Sequence, residues 1–196
     1  MTRQLREVYP LVPHHIVQRG CRRERTFFDE SDFRTYIRYL DTAARKYNVE
    51  IWCYCLMDNH IHLIACPHDK TGLSKMIGHA HRKYSYYINK KMGWTGHLWQ
   101  YRFESDPLEE NEVLTTARYI ERNPVVAKMV SHPCDYPWSS AHVHTTQKPD
   151  DLVRSPHLYK LVDDWKIFIE QPTVKEMVHA LELEEKMLAS GKTLSI

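Results

Sequence analysis

The alternation of apolar and polar positions along the chain predicts short strands separated by amphipathic helices. The stretch 14–18 is rich in branched residues and is followed by Gly20, which is typical of a strand. In the stretch 31–47, apolar residues recur every three or four positions, the period of a helix with one buried face. The same criteria predict strands at 49–57, 61–66 and 98–104 and helices at 73–91 and 111–123.

This order of elements, strand–helix–strand–strand–helix–strand, is the split βαβ arrangement. The sequence therefore predicts an α+β fold with a ferredoxin-like antiparallel sheet. Pro124 is expected to stop or kink the last of these helices. A polar stretch with two prolines at 147–156 resembles a linker, and Thr173 and Glu176 have capping-box spacing before an amphipathic C-terminal helix. We expect a main domain at 1–146 and a linker with a helical extension at 147–196.

The charge is divided unevenly along the chain, although the net charge is only +2. Residues 1–102 hold 17 basic and 9 acidic residues, so they carry 17 − 9 = +8. Residues 103–196 hold 10 basic and 16 acidic residues, which gives 10 − 16 = −6. Such an asymmetry favours a polyanionic partner, and nucleic acid is the one that we expect.

Membrane attachment and a disulfide framework are not expected from this sequence. No apolar run approaches the roughly 20 residues of a membrane-spanning helix, and the N-terminal residues lack an apolar leader. The five cysteines are odd in number and form no Cys-x-x-Cys pair, which is typical of reduced thiols in the cytosol.

Two histidines flank an isoleucine at the start of an apolar strand, in the order His60, Ile61, His62. Positions i and i+2 of a strand face the same side, so both imidazoles could converge on one divalent cation while Ile61 packs on the other side. The pattern alone is a weak signal, because two polar residues at a strand start are common.

A tyrosine lies off the apolar stripe of the predicted helix at 111–123. At about 100° per residue, Tyr119 falls on the polar side with Arg122 and Asn123, where Asn123 could add an amide oxygen to a metal site. A tyrosine hydroxyl attacks a phosphodiester when a bound cation polarises it, which is the chemistry of strand transfer. The alternatives are a surface tyrosine and a helix-ending asparagine. The stripe itself comprises Val113, Leu114, Ala117 and Ile120.

Five segments in order, HHIVQRGCRRERTFF, CLMDNHIHLIACP, GHLWQYRFESD, ARYIERNPVVAKMV and DYPWSS, resemble the IS200-like tyrosine transposases. The resemblance covers about residues 14–140 and is strongest to the branch associated with repetitive extragenic palindromes. It implies an HUH single-tyrosine endonuclease fold in the main domain, with the histidines on a central strand. It also implies that Tyr119 is the nucleophile and that His60, His62 and Asn123 bind Mg²⁺ or Mn²⁺.

Two positions depart from the pattern of that branch. Cys21 stands where asparagine is usual, which leaves open how the basic loop handles DNA. Asp58 stands where proline is frequent and adds a carboxylate that we expect near the metal. By resemblance, the reaction cleaves single-stranded DNA, links its 5′-phosphate to Tyr119 and leaves a free 3′-hydroxyl.

Basic residues with neighbouring aromatic rings are the expected DNA contacts, because they combine phosphate neutralisation with base stacking. An ordinary solvated surface is the alternative. The aromatic-rich loop at 94–102 is equally compatible with a stacking platform and with a lid over the core. The predicted contacts are Arg19, Arg22, Arg23 and Arg25 in one loop, Lys75, Arg82, Lys83 and Tyr86 on the helix at 73–91, and Arg102.

Three functions are compatible with these observations. The leading hypothesis is a transposase or endonuclease that cleaves and rejoins single-stranded hairpin DNA. The second is a domesticated protein that binds DNA hairpins without cleaving them, and the third is a His-x-His phosphoesterase unrelated to DNA. We expect a cytoplasmic, nucleoid-associated protein that is a monomer or a homodimer.

Overall fold

One four-stranded sheet forms the centre of the protein, and the computed structural model describes residues 7–174, 176 and 177. The strands lie in the order β2-β3-β1-β4, and all neighbours are antiparallel. The predicted α+β class with an antiparallel sheet is confirmed. The strands are β1 (His14–Arg19), β2 (Val49–Met57), β3 (His60–Pro67) and β4 (Glu104–Pro107). The helices are α1 (Glu30–Lys46), α2 (Gly72–Met92), α3 (Glu110–Val126), α4 (Ala141–Thr146) and α5 (Trp165–Glu170).

Two hydrophobic cores lie on opposite faces of the sheet. Helices α1 and α2 cover one face, where the first core takes in Ile16, Ile61 and Leu63 from the strands. Helix α3 covers the other face, where Cys53 and Cys55 belong to the second core. Because successive strand residues face opposite sides, the side chains of β3 that flank Ile61 point toward the α3 side.

The predicted position of the last strand is wrong, since β4 begins only at Glu104. The apolar residues that prompted the prediction, Leu98, Trp99 and Phe103, are buried in an irregular segment. This segment crosses the end of β1, where the Gln100 amide donates to the Arg19 carbonyl over 2.9 Å. These apolar residues are therefore buried without forming a strand. The actual strand is short, polar and at the edge of the sheet.

The predicted end of the tyrosine-bearing helix is also wrong, because α3 continues through Pro124 to Val126. Proline removes one backbone donor from the helix interior and usually disfavours such a position. Here Pro124 is buried together with Ile120 and Glu121, so tertiary packing outweighs the local preference.

The segment after α4 packs back onto the main domain through the second core, which includes Trp165 and Ile169. The predicted capping box is confirmed, since the Thr173 amide donates to Glu176 Oε2 over 2.7 Å and the Glu176 amide donates to Thr173 Oγ1 over 3.3 Å. The rest of the predicted C-terminal helix lies outside the described residues, and the domain boundary at 146 stays a prediction. Within the described part of the chain, no helix is both long and apolar enough to cross a membrane.

Candidate active site

Strand β3 places the imidazoles of His60 and His62 on the sheet face that α3 covers. Their ring centroids are 5.1 Å apart and the ring planes are nearly perpendicular, at 83°. Ile61 between them points to the opposite face and is completely buried in the first core. The hydrophobic anchor on one side thus fixes the histidine pair on the other.

Both histidines are held in the neutral form. Burial, followed by the charge of Arg19, lowers the pKa of His60 to about 4. Burial, followed by the charges of His60, His15 and Arg19, lowers the pKa of His62 to about 2. At neutral pH both rings therefore offer nitrogen lone pairs, as metal coordination requires.

One of these ring nitrogens has no protein partner. His62 Nε2 is buried and forms no hydrogen bond with the described residues. A buried polar atom in this state costs roughly 1–3 kcal/mol unless a bound group satisfies it. The neutral imidazoles and this unsatisfied atom fit a divalent cation.

Helix α3 brings Tyr119 against the histidine pair. The buried residues Val113, Ala117 and Ile120 pack this helix onto the second core, as the apolar stripe predicts. Tyr119 is half-buried, and its ring meets the His62 ring edge-on, with centroids 5.6 Å apart and an angle of 87°. The predicted nucleophile and the predicted metal ligand are therefore neighbours, although they are 57 residues apart in the sequence.

Asn123 lies one turn beyond the tyrosine, and its side-chain Nδ2 donates to the Tyr119 carbonyl over 3.0 Å. This bond engages the amide nitrogen, and the role of the amide oxygen as a metal ligand stays a prediction. Arg122, which the sequence placed on the same polar side, is instead buried. It donates to Glu176 and to the carbonyls of Ile169 and Glu170, so the C-terminal segment covers the side of α3 that periodicity predicts to be exposed.

A third histidine, His15, which the sequence pattern does not reveal, lies beside His62 and Tyr119. His15 Nε2 lies 3.1 Å from His62 Nδ1, and the His15 ring meets the Tyr119 ring edge-on with centroids 6.3 Å apart. In the β1–β3 register Val17 is opposite His62, so His15 is its diagonal neighbour on the same face. Only knowledge of the strand pairing could have shown this proximity.

The carboxylate of Asp58 pairs with Arg25, whose guanidinium donates to it over 2.9 Å, and its proximity to the metal stays a prediction. Cys21, the other departure, is half-buried, and its amide donates to the Leu98 carbonyl over 2.9 Å.

On the opposite flank of the site, Asp106 of β4 is in register with His15. Acidic charge therefore borders the histidine cluster at the sheet edge.

The predicted DNA contacts divide between two regions. Arg19 ends β1 directly opposite His60, and the exposed arginines at 22, 23 and 25 follow it in the adjoining loop. Helix α2 lies on the other face of the sheet, so its basic residues do not share the surface of the histidine cluster. The exposed residues of α2 in question are Lys75, Arg82, Lys83 and Tyr86.

A groove of about 470 Å³ joins part of α2 to the aromatic loop. Arg82 and Arg102 both line it, beside Tyr101, which is 90% exposed. Trp99 is buried and stacks on His81 with ring centroids 4.3 Å apart. The loop consequently combines the two predicted roles. Trp99 covers the core as a lid would, and the exposed Tyr101 is available for stacking.

The fold and the site define an α+β protein whose antiparallel sheet carries a pair of neutral histidines beside a tyrosine presented by a helix. The family model described as "Transposase IS200 like" matches residues 9–123. The chain belongs to this transposase family, which confirms the predicted family. A comparison with curated protein sequences finds no match.

Among solved structures, the fold is similar to that of a REP-associated tyrosine transposase bound to a REP hairpin. The TM-score is 0.64 at 16% identity, covering 79% of this chain and 92% of that chain. A putative transposase from Deinococcus radiodurans R1 also matches, with a TM-score of 0.43 and 20% identity over 62% of this chain and 97% of that chain. The first match agrees with the predicted fold of the palindrome-associated branch.

Proposed function

We propose that this protein is a metal-dependent transposase that cleaves and rejoins single-stranded hairpin DNA through a covalent bond to Tyr119. The observation that carries the proposal is the contact between the Tyr119 ring and His62, whose Nε2 is buried without a partner. Family membership and the fold likeness to a hairpin-bound relative support the same reaction class.

His60, His62 and Asn123 would hold a Mg²⁺ or Mn²⁺ ion, which supplies charge neutralisation at the phosphodiester when bound. The Tyr119 hydroxyl oxygen attacks phosphorus and forms a phosphotyrosine ester with the 5′-phosphate. The bond from phosphorus to the 3′-oxygen breaks, and this oxygen leaves with a proton as a 3′-hydroxyl. Attack by another 3′-hydroxyl on the phosphotyrosine restores the tyrosine and joins the strands, so no nucleotide is consumed.

DNA would approach along the exposed arginine loop after β1. This loop begins at Arg19, which faces His60 across the strands, so a phosphate bound there lies beside the histidine pair. Arg82, Arg102 and Tyr101 line the adjoining groove, which combines two cations with an exposed aromatic ring, a combination that suits unpaired or hairpin DNA.

The test is to incubate the full-length protein with a 5′- or 3′-labelled hairpin oligonucleotide and Mn²⁺, and to separate the products on a denaturing gel. We expect a covalent adduct that carries the label from the 5′-phosphate side of the break, together with a fragment ending in a 3′-hydroxyl. Tyr119→Phe should abolish the adduct, whereas Tyr159→Phe, a change in another half-buried tyrosine, should preserve it.

The remaining functions are distinct outcomes of this experiment. Hairpin binding that survives chelation and gives no cleavage product with any substrate would replace the proposal with a binding protein. Turnover of small phosphate esters that is indifferent to Tyr119→Phe would indicate a phosphoesterase. The same protein preparation, examined by light scattering with and without hairpin, distinguishes a monomer from a homodimer.

A further inference from the structure

The contact between His15 and His62 has the geometry of a hydrogen bond between two imidazoles. Their nitrogens are 3.1 Å apart, while the ring centroids are 5.3 Å apart and the planes differ by only 14°. A short distance between nitrogens, a longer one between centroids and nearly parallel planes mean that the rings meet edge to edge. A face-to-face stack would not align Nε2 of one ring with Nδ1 of the other.

Such a bond contains one proton and therefore has two possible directions. If His15 Nε2 donates, then His62 Nδ1 accepts, and the neutral His62 ring must carry its proton on Nε2. If His62 Nδ1 donates to His15, then His62 Nε2 carries a lone pair. The second direction is the one that metal-binding histidines adopt, since their outer nitrogen donates to a neighbouring acceptor.

The surroundings of His62 Nε2 distinguish these directions. This atom is buried and has no hydrogen-bond partner among the described residues. A proton on it would point at no acceptor there, whereas a lone pair in the same place is a ready ligand for a cation. When His62 Nδ1 donates to His15, the buried Nε2 atom can therefore bind a cation. When His15 donates, Nε2 is a buried donor without an acceptor.

The sheet supports His15 in this position from both sides. His15 is a diagonal neighbour of His62 across the β1–β3 pair, and Asp106 is in register with it across the β1–β4 pair. The adjacent His14 faces the opposite side, where its Nδ1 bonds with the Val12 carbonyl at 2.8 Å. The two consecutive histidines therefore have separate surroundings, and only His15 reaches the site.

We propose that His15 is a positioning residue that accepts the Nδ1 proton of His62 and so directs the Nε2 lone pair of His62 toward the divalent cation. This inference rests on the proposed function, because it takes the cation as the ligand of His62. It extends the site to a residue that acts on the cation through His62. A residue with this role fixes both the tautomer and the ring orientation of the ligand.

The first experiment reads the tautomer without metal or DNA. Long-range ¹H–¹⁵N correlation spectra of the metal-free, full-length protein at neutral pH should show His62 protonated on Nδ1 and not on Nε2. In His15→Leu, which removes the acceptor, the signals of His62 should move toward a mixture of tautomers. A wild-type His62 protonated on Nε2 would overturn the proposal, whatever the protein does to DNA.

The second experiment measures Mn²⁺ binding by calorimetry. His15→Leu should weaken the affinity roughly 10–100-fold, as loss of an outer-shell partner does. His15→Gln keeps an acceptor near the position of Nε2 and should retain most of the affinity. His142→Gln, at an exposed histidine of α4, is the control for non-specific histidine binding and should bind as the wild type does.

The outcomes separate the two proposals. Equal Mn²⁺ affinity in His15→Leu and the wild type, with both folded by circular dichroism, overturns the positioning role. Equal losses in His15→Leu and His15→Gln would also overturn it, because His15 would then bind the cation itself. If the tautomer and affinities are as expected but no DNA adduct forms, the inference stands and the proposed reaction fails.

Discussion

Glu121 and His144 form a completely buried pair, with Glu121 Oε1 and His144 Nδ1 2.6 Å apart. The same carboxylate accepts from Ser140 over 2.6 Å and from the Trp165 indole over 2.8 Å. His144 Nε2 lies 3.0 Å from the Trp52 carbonyl. Since Glu121 follows Tyr119 by two positions on α3, this polar cluster joins the tyrosine helix to β2, α4 and α5.

Removing one partner of this pair should strongly destabilise the fold. His144→Phe preserves an aromatic ring but leaves the buried carboxylate of Glu121 with one partner fewer, and we expect a loss of about 3 kcal/mol in the free energy of unfolding. Urea denaturation followed by circular dichroism measures the change. His142→Phe on the exposed side of α4 is the control.

A double variant tests whether the cost arises from the unpaired carboxylate. Glu121→Leu combined with His144→Phe removes both polar partners, so it should be more stable than the sum of the single changes predicts. Strict additivity of the two losses would contradict a direct interaction between these side chains.

The pairing of Arg122 with Glu176 should make stability depend on pH. Burial opposes ionisation of Glu176, but hydrogen bonds from Arg122 and Thr173 outweigh it and lower the pKa of Glu176. A carboxyl group with a lowered pKa stabilises the fold fully above its unfolded value, about 4.3 for glutamate, and this contribution is lost as the pH falls through the folded value.

We therefore expect Glu176→Gln to unfold more easily than the wild type at pH 7 and to approach the wild type near pH 3. Urea unfolding curves at both pH values provide the measurement. Glu7→Gln, at an exposed residue near the N-terminus, should show no such convergence. A difference between Glu176→Gln and the wild type that is the same at both pH values would contradict the assignment.

Gly20 is required by the close approach of the backbone at the end of β1. A Cβ atom added there would lie 2.4 Å from the Glu24 carbonyl oxygen and 2.7 Å from Thr26 Cγ2. Gly20→Ala should therefore displace the arginine loop and cost about 1–3 kcal/mol in the free energy of unfolding. Gly78→Ala, where an added Cβ meets nothing within 4 Å, is the matched control. Equal stability of the two variants would show that the loop accommodates the methyl group.

The sequence predicted the parts of the site that depend on local geometry. His60 and His62 share a face because strand residues alternate, and Tyr119 lies off the apolar stripe because a helix turns by a fixed angle. His15 was missed because its proximity depends on the register between β1 and β3. Arg122 was placed on the polar side of the helix, where exposure is expected. Periodicity shows which residues lie off the apolar stripe, but it does not show that another segment covers them. Strand β4 was misplaced because buried aromatic residues occur both in loops and in strands. Composition alone does not distinguish the two.

The ion pair between Asp58 and Arg25 should weaken DNA binding. The Asp58 carboxylate holds the Arg25 guanidinium and adds negative charge beside the arginine loop. Asp58→Asn should raise the affinity for hairpin DNA several-fold at low salt, since one repulsive charge is removed and one arginine is released. Because both side chains are substantially exposed, the change in stability should stay below about 1 kcal/mol. Fluorescence anisotropy with a labelled hairpin measures the affinity, and an unchanged or lower affinity would contradict the role of the loop.

The groove between α2 and the aromatic loop predicts how binding should respond to salt. Each phosphate contact releases counterions, so the logarithm of the affinity falls linearly with the logarithm of salt concentration, by about 0.9 per contact on duplex DNA and about 0.7 on single strands. Arg82→Gln and Arg102→Gln should each reduce this slope by about 1, because both residues line the groove. Lys160→Gln, at an exposed lysine in the segment between α4 and α5, should leave the slope unchanged. If Arg82→Gln and Arg102→Gln keep the wild-type slope while substitutions of the arginines that follow β1 reduce the slope, DNA contacts the histidine face alone. The basic residues of α2 are then an ordinary solvated surface.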